Sequence, residues 1–282
     1  MSELDQFIDR AKHLPPAPTL LPELISLLGQ PDLDGSRVVG LITYDPGLTA
    51  NVLRLCNSVA LASSNPVATL EEAVVRLGFE EIYRLVVASI GVHALRNSGI
   101  GQATRQRQLW SHSVVTAIGA ELIARDRGDD GNLAFTAGLL HDIGKIIALD
   151  VLGEKYVKLA EEVEANHFCL IEMERKVLGL HHAELGGQLL AKWRLPANLV
   201  AAVYFHHDPE AANAHRTLAA YAYLGNLIAY MIGFGCGDPW VMQDGSREVL
   251  GMLNFSEDCL PRYIEAIQEE FEKAQMLIQI GC

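Results

Sequence analysis

Along this chain the apolar residues return every third or fourth position and almost nowhere alternate with period two. That rhythm gives a helix one face to bury and gives a strand no half-buried face, so the interior has to be built from helices. Leu20, Leu21, Leu24, Ile25, Leu27 and Leu28 keep the spacing, as do Leu48, Val52, Leu53, Leu55 and Cys56. Local signals cut the rhythm into separate helices. A first amphipathic helix over residues 1–16 ends at Leu14-Pro15-Pro16, and Pro31-Asp32 closes the second. Ser36 is placed to cap the next, which carries Val38, Val39, Leu41 and Ile42. Asp45-Pro46 then supplies an N-cap and a proline at the first helical position. Ser63-Ser64-Asn65-Pro66 reads as a loop. Thr69 and Glu72 form a capping box, Gly78 ends that helix, and Glu80–Arg96 reads as another.

Asn97-Ser98-Gly99-Ile100-Gly101 is the strongest internal boundary, a short glycine-rich hinge separating residues 1–100 from 101–282. The second lobe begins with a helix near Gln106–Arg125 bearing Trp110 and His112. After the Asp129–Asn132 turn, Asn132 is placed to cap the helix containing His141-Asp142. Helices come next around Glu154–Ala165, Cys169–Leu178 and His182–Trp193. Another starts at Pro196 and ends at His206-His207-Asp208-Pro209. The apolar Leu218–Gly233 segment succeeds it, and Ser256 caps a last amphipathic helix through Ile278. No internal repeat is present in the sequence.

With 282 residues the chain is long enough for a sizeable core. Its net charge of -13 and lack of a basic run argue against non-specific nucleic-acid binding. The five cysteines, Cys56, Cys169, Cys236, Cys259 and Cys282, are scattered and never spaced Cys-x-x-Cys, which points to reduced thiols and a cytoplasmic protein. The opening Met1-Ser2-Glu3-Leu4-Asp5 is acidic and unlike a signal peptide. Leu218 to Gly237 carries no charge over about the length of a membrane span, but a helical globule needs one central buried helix, and no membrane association is expected.

The chemistry gathers around Gly138-Leu139-Leu140-His141-Asp142-Ile143-Gly144-Lys145, a His-Asp pair within an apolar helical segment. A buried aspartate is costly without a cation or several donors. His112, His182, His206 and His207 lie in similar apolar settings. Imidazoles and a carboxylate converging from several helices suit zinc, iron or manganese better than calcium. Hydrogen-bonded core histidines are the plainer alternative. Lys145 reads either as a contact for a phosphate near such an ion or as a side chain snorkelling to solvent. His181 reads as the exposed neighbour of His182, and His13, His93, His167 and His215 as surface or core residues. Trp110 and Trp193 read as core.

These residues resemble the HDOD family within the HD superfamily of metal-dependent phosphohydrolases. The similarity runs through Leu14-Pro15-Pro16-Ala17-Pro18, Asp45-Pro46-Gly47-Leu48-Thr49, Leu53-Arg54-Leu55-Cys56-Asn57-Ser58 and Thr69-Leu70-Glu71-Glu72-Ala73-Val74 with Leu77-Gly78. It continues in Leu109-Trp110-Ser111-His112-Ser113, the His141-Asp142 stretch, His182-Ala183-Glu184-Leu185-Gly186, Trp193-Arg194-Leu195-Pro196 and His206-His207. The resemblance implies an all-α, two-lobed architecture with an HD-type helical bundle as the second lobe. It implies that His112, His141 and Asp142 are the first metal ligands, and that His182, His206 and His207 match the extra histidines of the two-metal, HD-GYP-like branch, which cleaves cyclic di-GMP. The implied cofactor is a divalent transition metal, iron, manganese or zinc.

Two departures shape the functional expectation. The superfamily's closing aspartate falls at Asn226, a neutral amide and a poorer ligand. His206-His207 is followed by Asp208-Pro209, with no Gly-Tyr-Pro motif. The resemblance therefore leans towards a non-hydrolytic bacterial signalling module that binds a partner protein or a nucleotide-like ligand. A metal-dependent phosphohydrolase or phosphodiesterase acting on a nucleotide phosphoester is the alternative.

Overall fold

The computed structural model describes residues 14, 20, 35–59, 65–79, 82, 100–235 and 246–279. The helices expected over residues 1–16, 20–28 and 80–96, the Ser63-Ser64 half of the loop at 63–66 and the Asn97–Gly99 portion of the boundary fall largely outside them, as do His13, His93, Cys236 and Cys282. Among the described residues the fold is all-α, with no strand.

Three helices come first: α1 (Gly35–Ile42), α2 (Pro46–Val59) and α3 (Leu70–Leu77). Asp45 caps α2 as expected, its carboxylate accepting from the Leu48 amide at 2.9 Å. Thr69 and Glu72 form the expected capping box of α3, and Gly78 ends it at φ 80°. Ser36 lies inside α1 rather than before it. Asn51 ties Leu14 to α2, with its side chain bonding the Leu14 carbonyl at 3.0 Å and receiving the Leu14 amide at 3.4 Å.

α4 (Ile100–Asp126) is the longest helix among the described residues, and it takes in Ile100 and Gly101, which the sequence assigned to the boundary. Nothing in its first turn breaks the backbone ladder, and Gly101 sits against the Glu154 side chain and Val157. Trp110 is buried and donates its indole N–H to the Tyr44 carbonyl at 2.7 Å, binding α4 to the turn between α1 and α2. Next come α5 (Gly131–Leu140), α6 (Ile143–Leu152), α7 (Glu154–Asn166), α8 (Leu170–Leu178), α9 (His182–Lys192) and α10 (Ala197–Tyr204). A 3-10 segment at Pro209–His215 leads into α11 (Arg216–Met231), and α12 (Ser246–Met252) and α13 (Leu260–Gln279) close the described chain. The cap of α5 is Asp130, whose carboxylate accepts from the Asn132 and Leu133 amides, so Asn132 lies inside the first turn and cannot serve. Ser256 precedes a 3-10 turn at Glu257–Cys259 rather than α13 itself.

The uncharged segment forms α11, buried from Leu218 to Ala229 against α4. No helix among the described residues is long and apolar enough to cross a membrane. Glycines make this core tight. Gly119 of α4 faces Gly225 of α11, and a methyl group added at Gly225 would lie 2.4 Å from the Thr116 carbonyl oxygen. One added to Gly138 of α5 would lie 2.8 Å from the Ala117 Cα. α4 is thus held backbone to backbone on two sides.

Candidate metal centre

The apolar run around His141-Asp142 forms two helices, not one. α5 ends at Leu140, His141 is its C-cap, and Asp142 leaves helical geometry at φ -99°, ψ 17° before α6 begins. Hydropathy gives no sign of this break because apolar residues continue on both sides. The approach of α9 constrains the restart: a side chain on Gly144 would meet the His182 carbonyl oxygen at 1.9 Å. Only glycine lets the start of α6 touch the start of α9.

The break directs both side chains to one place. The His141 Nε2 lies 3.3 Å from Asp142 Oδ2. His112, delivered by α4, brings its Nε2 to 3.4 Å from the same oxygen and 3.2 Å from the His141 Nε2. His182, the first residue of α9, and His206, in the turn after α10, approach the other oxygen. Their Nε2 atoms lie 3.4 and 3.7 Å from Asp142 Oδ1. His207 Nε2 lies 2.8 Å from His182 Nε2. Two clusters result, one of His112, His141 and Asp142, the other of His182, His206 and His207. Asp142 stands between them.

The protons on the imidazoles can be assigned from their partners. The Nδ1 of His112 faces the Phe234 carbonyl at 2.7 Å, that of His141 the Gly138 carbonyl at 2.7 Å, and that of His206 the Val203 carbonyl at 2.8 Å. His182 Nδ1 faces a carboxylate oxygen of Glu174 at 2.6 Å. Carbonyls and carboxylates only accept, so each Nδ1 donates and each Nε2 is left as a bare lone pair. Those lone pairs point at one another and at Asp142, and Asp142 Oδ1 and His206 Nε2 have no hydrogen-bond partner. Beyond the Lys145 ammonium on Asp142 Oδ2 and the His207 ring facing His182, this buried set is made of acceptors, which is unfavourable unless a cation lies among them. The imidazole-plus-carboxylate donor set, anchored through the far ring nitrogen, fits zinc, iron or manganese.

Electrostatics agree with that reading. Burial lowers the His112 pKa to about 4, against the opposing pull of Asp142. Burial also pushes His206 and His207 well below the ordinary histidine value, helped by the neighbouring histidines. Burial pulls the Asp142 carboxyl upward, but the neighbouring His141 and Lys145 overcome it, leaving it well below the usual range. Lys145 does not snorkel. It is buried and donates to Asp142 Oδ2 at 2.7 Å.

Asn226 lies in α11, buried, with its amide oxygen unpartnered. Among the described residues no hydrogen bond joins it to the histidines. The reading of His181 as exposed is corrected: it is buried and caps α9, its Nδ1 accepting from the Ala183 and Glu184 amides while Glu184 bonds back to the His181 amide. A cap needs that nitrogen unprotonated, and burial lowers the His181 pKa to about 4. His167, in the left-handed region at φ 54°, and His215 belong to neither cluster. Trp193 is only half-buried.

Glu174 was not singled out by the sequence. It is fully buried on α8 and accepts from the His182 ring at 2.6 Å, the His182 amide at 2.9 Å and the Tyr156 hydroxyl at 2.5 Å. The available signal was its place on the inner face of an amphipathic helix just before the His181-His182 pair.

A helical body that carries a His-Asp pair and four further histidines to one buried point is an HD-type fold. The HDOD domain family matches residues 14–209, and the chain belongs to that family. An uncharacterised protein of Treponema pallidum is 27% identical over 95% of this chain and 51% of its own length. Ribonuclease Y of Campylobacter jejuni is 29% identical over 55% of this chain and 24% of its own length. The chain thus spans about half of the first relative and a quarter of the second. Among solved structures, the MmoQ response regulator of Methylococcus capsulatus superposes with a TM-score of 0.71 at 22% identity, covering 90% of this chain and 98% of that one. A candidate phosphohydrolase of Shewanella amazonensis superposes with a TM-score of 0.52 at 25% identity, covering 100% of this chain and 98% of that one.

Proposed function

We propose that this HDOD protein is a binding module of a signalling pathway, engaging a partner protein or a nucleotide-like ligand, and that its histidine–aspartate centre holds divalent transition metal without hydrolysing a substrate. The division into lobes over residues 1–100 and 101–282 belongs to the same reading. The observation that carries it is the depth of the centre: His112, His141, Asp142 and His206 are 0% exposed, only His207 of the six is half-buried, and Lys145 already occupies Asp142 Oδ2. A hydrolytic site must admit a phosphoester and a water. Asn226 supports the same reading, since an amide cannot take a proton from water as a carboxylate can. His112, His141 and Asp142 would hold one ion and His182, His206 and His207 another. Bound there, the metal supplies the positive charge that the facing lone pairs lack. Glu174 keeps the His182 proton on Nδ1 and its lone pair inward.

A hydrolytic reading is supported by the same full donor set and by the resemblance to the Shewanella candidate phosphohydrolase. In it, Lys145 would leave Asp142 to steady a phosphate. Metal analysis by mass spectrometry, with a phosphodiester hydrolysis assay alongside, separates the two. The binding reading expects metal in the native protein and no turnover. Turnover by the native protein that Asp142→Ala abolishes would overturn it.

A further inference from the structure

Away from the histidines, Arg54 of α2 lies over Trp193 at the end of α9, its guanidinium carbon 5.5 Å from the ring centroid. Its Nε is buried without a hydrogen-bond partner, and among the described residues it makes no ion pair. The chain has 35 acidic residues against 22 basic ones, so carboxylates are in excess, yet none of the described ones reaches this arginine. A buried donor left unpaired is costly and calls for an unseen partner. Desolvation already lowers the Arg54 pKa.

Trp193 holds the guanidinium plane in place, which presents its N–H groups as a ready fork for a pair of oxygens. A second cation is close in sequence. Arg194 is the next residue after Trp193, is exposed, adopts φ 61°, and makes no ion pair among the described residues. Arg54 and Arg194 therefore bring two positive charges to the same end of α9, which favours a doubly charged group over a single carboxylate.

We propose that Arg54, ordered by Trp193 and assisted by Arg194, is a recognition site for a phosphate-type oxyanion on a small ligand. The site is separate from the metal centre, at the opposite end of α9 from His182, roughly 16 Å away for an 11-residue helix. It does not depend on metal being bound.

The test is calorimetric titration of the full chain with inorganic pyrophosphate, against chloride of matched ionic strength. The protein is first treated with chelator so that no ion at the histidines can take the phosphate. Saturable binding is expected, weakened at least about tenfold in Arg54→Met and in Arg54→Lys, which keeps the charge but loses the fork. Arg194→Ala should weaken it less. Thermal melts check that each variant is folded, and Arg54→Lys decides if Arg54→Met does not fold. Absence of saturable binding by the native chain, or equal binding by a folded Arg54→Lys, overturns the proposal. Equally tight binding of tricarballylate overturns the assignment to phosphate.

Discussion

The two halves of the histidine centre share one aspartate but are built differently. The His112–His141 half lies where α4 meets the break between α5 and α6, and it contains the Lys145 ammonium on the near oxygen of Asp142. Among the described residues the His182–His206–His207 half has no lysine on its oxygen. Behind it stands Glu174, a second buried carboxylate that touches the ring of His182 and not the centre itself. One half is balanced by a resident cation and the other by an anion one layer back. An empty second half has more to gain from metal than an empty first half.

Acid tests this asymmetry most strongly. In the metal-free chain His112 has a pKa near 4, and His206 and His207 lie well below the ordinary value near 6.5 that the unfolded chain would show. Below 6.5 the unfolded state binds more protons, so stability is complete above that pH and falls as pH drops towards 4. Each such histidine contributes a slope of up to about 1.4 kcal/mol per pH unit. Two of the three belong to the second half, so His206→Gln with His207→Gln should flatten a pH series of denaturant melts more than His112→Gln.

Asp142→Ala comes next. It removes both oxygens and strands Lys145 in the core, at an expected cost of about 3–5 kcal/mol. Thermal unfolding should show that loss, and mass spectrometry should find both halves emptied of metal. Retention of one ion per chain would mean that the halves are independent.

Gly144→Ala should act on the contact between the halves by pushing His182 away, costing about 1–3 kcal/mol by overpacking. Its metal loss should fall on the second half. Glu174→Gln is the mildest. It keeps the shape but weakens the hold on the His182 ring, and zinc affinity of the second half should drop about 10–100-fold with the first half unchanged. Competition titrations with a chromophoric chelator would resolve the two classes of site. A uniform loss across both would remove the distinction.

Much of this was legible in the sequence. His112, His141, His182, His206 and His207 stood out because an imidazole amid leucine and alanine has few reasons to be there. The caps at Asp45 and Thr69 were legible because capping depends on side chains within three residues. The break after Leu140 was not, since Ala137 to Ile147 is almost continuously apolar and the turn is set by the approach of α9. Glu174 was hidden among Glu172, Arg175 and Lys176, where a charged residue normally faces water. His181 was misread because a histidine can cap a helix only when buried and neutral, which its neighbours in space decide. The bond from Lys145 to Asp142 was hidden for the same reason, its geometry being fixed only once α6 restarts at Ile143.

The glycine contacts along α4 have a mechanical consequence. At the Thr116–Ala120 turn this helix is gripped by α5 on one side and α11 on the other, with backbones too close to slide past one another. α4 is roughly 40 Å long for its 27 residues, and the grip lies beyond its midpoint. Such a rod behaves as a lever on a fixed pivot. A force at the Ile100 end would be delivered to His112, one turn before the pivot, as a shortened stroke. The same geometry would let a change at His112 be read out, enlarged, at the far end of the rod.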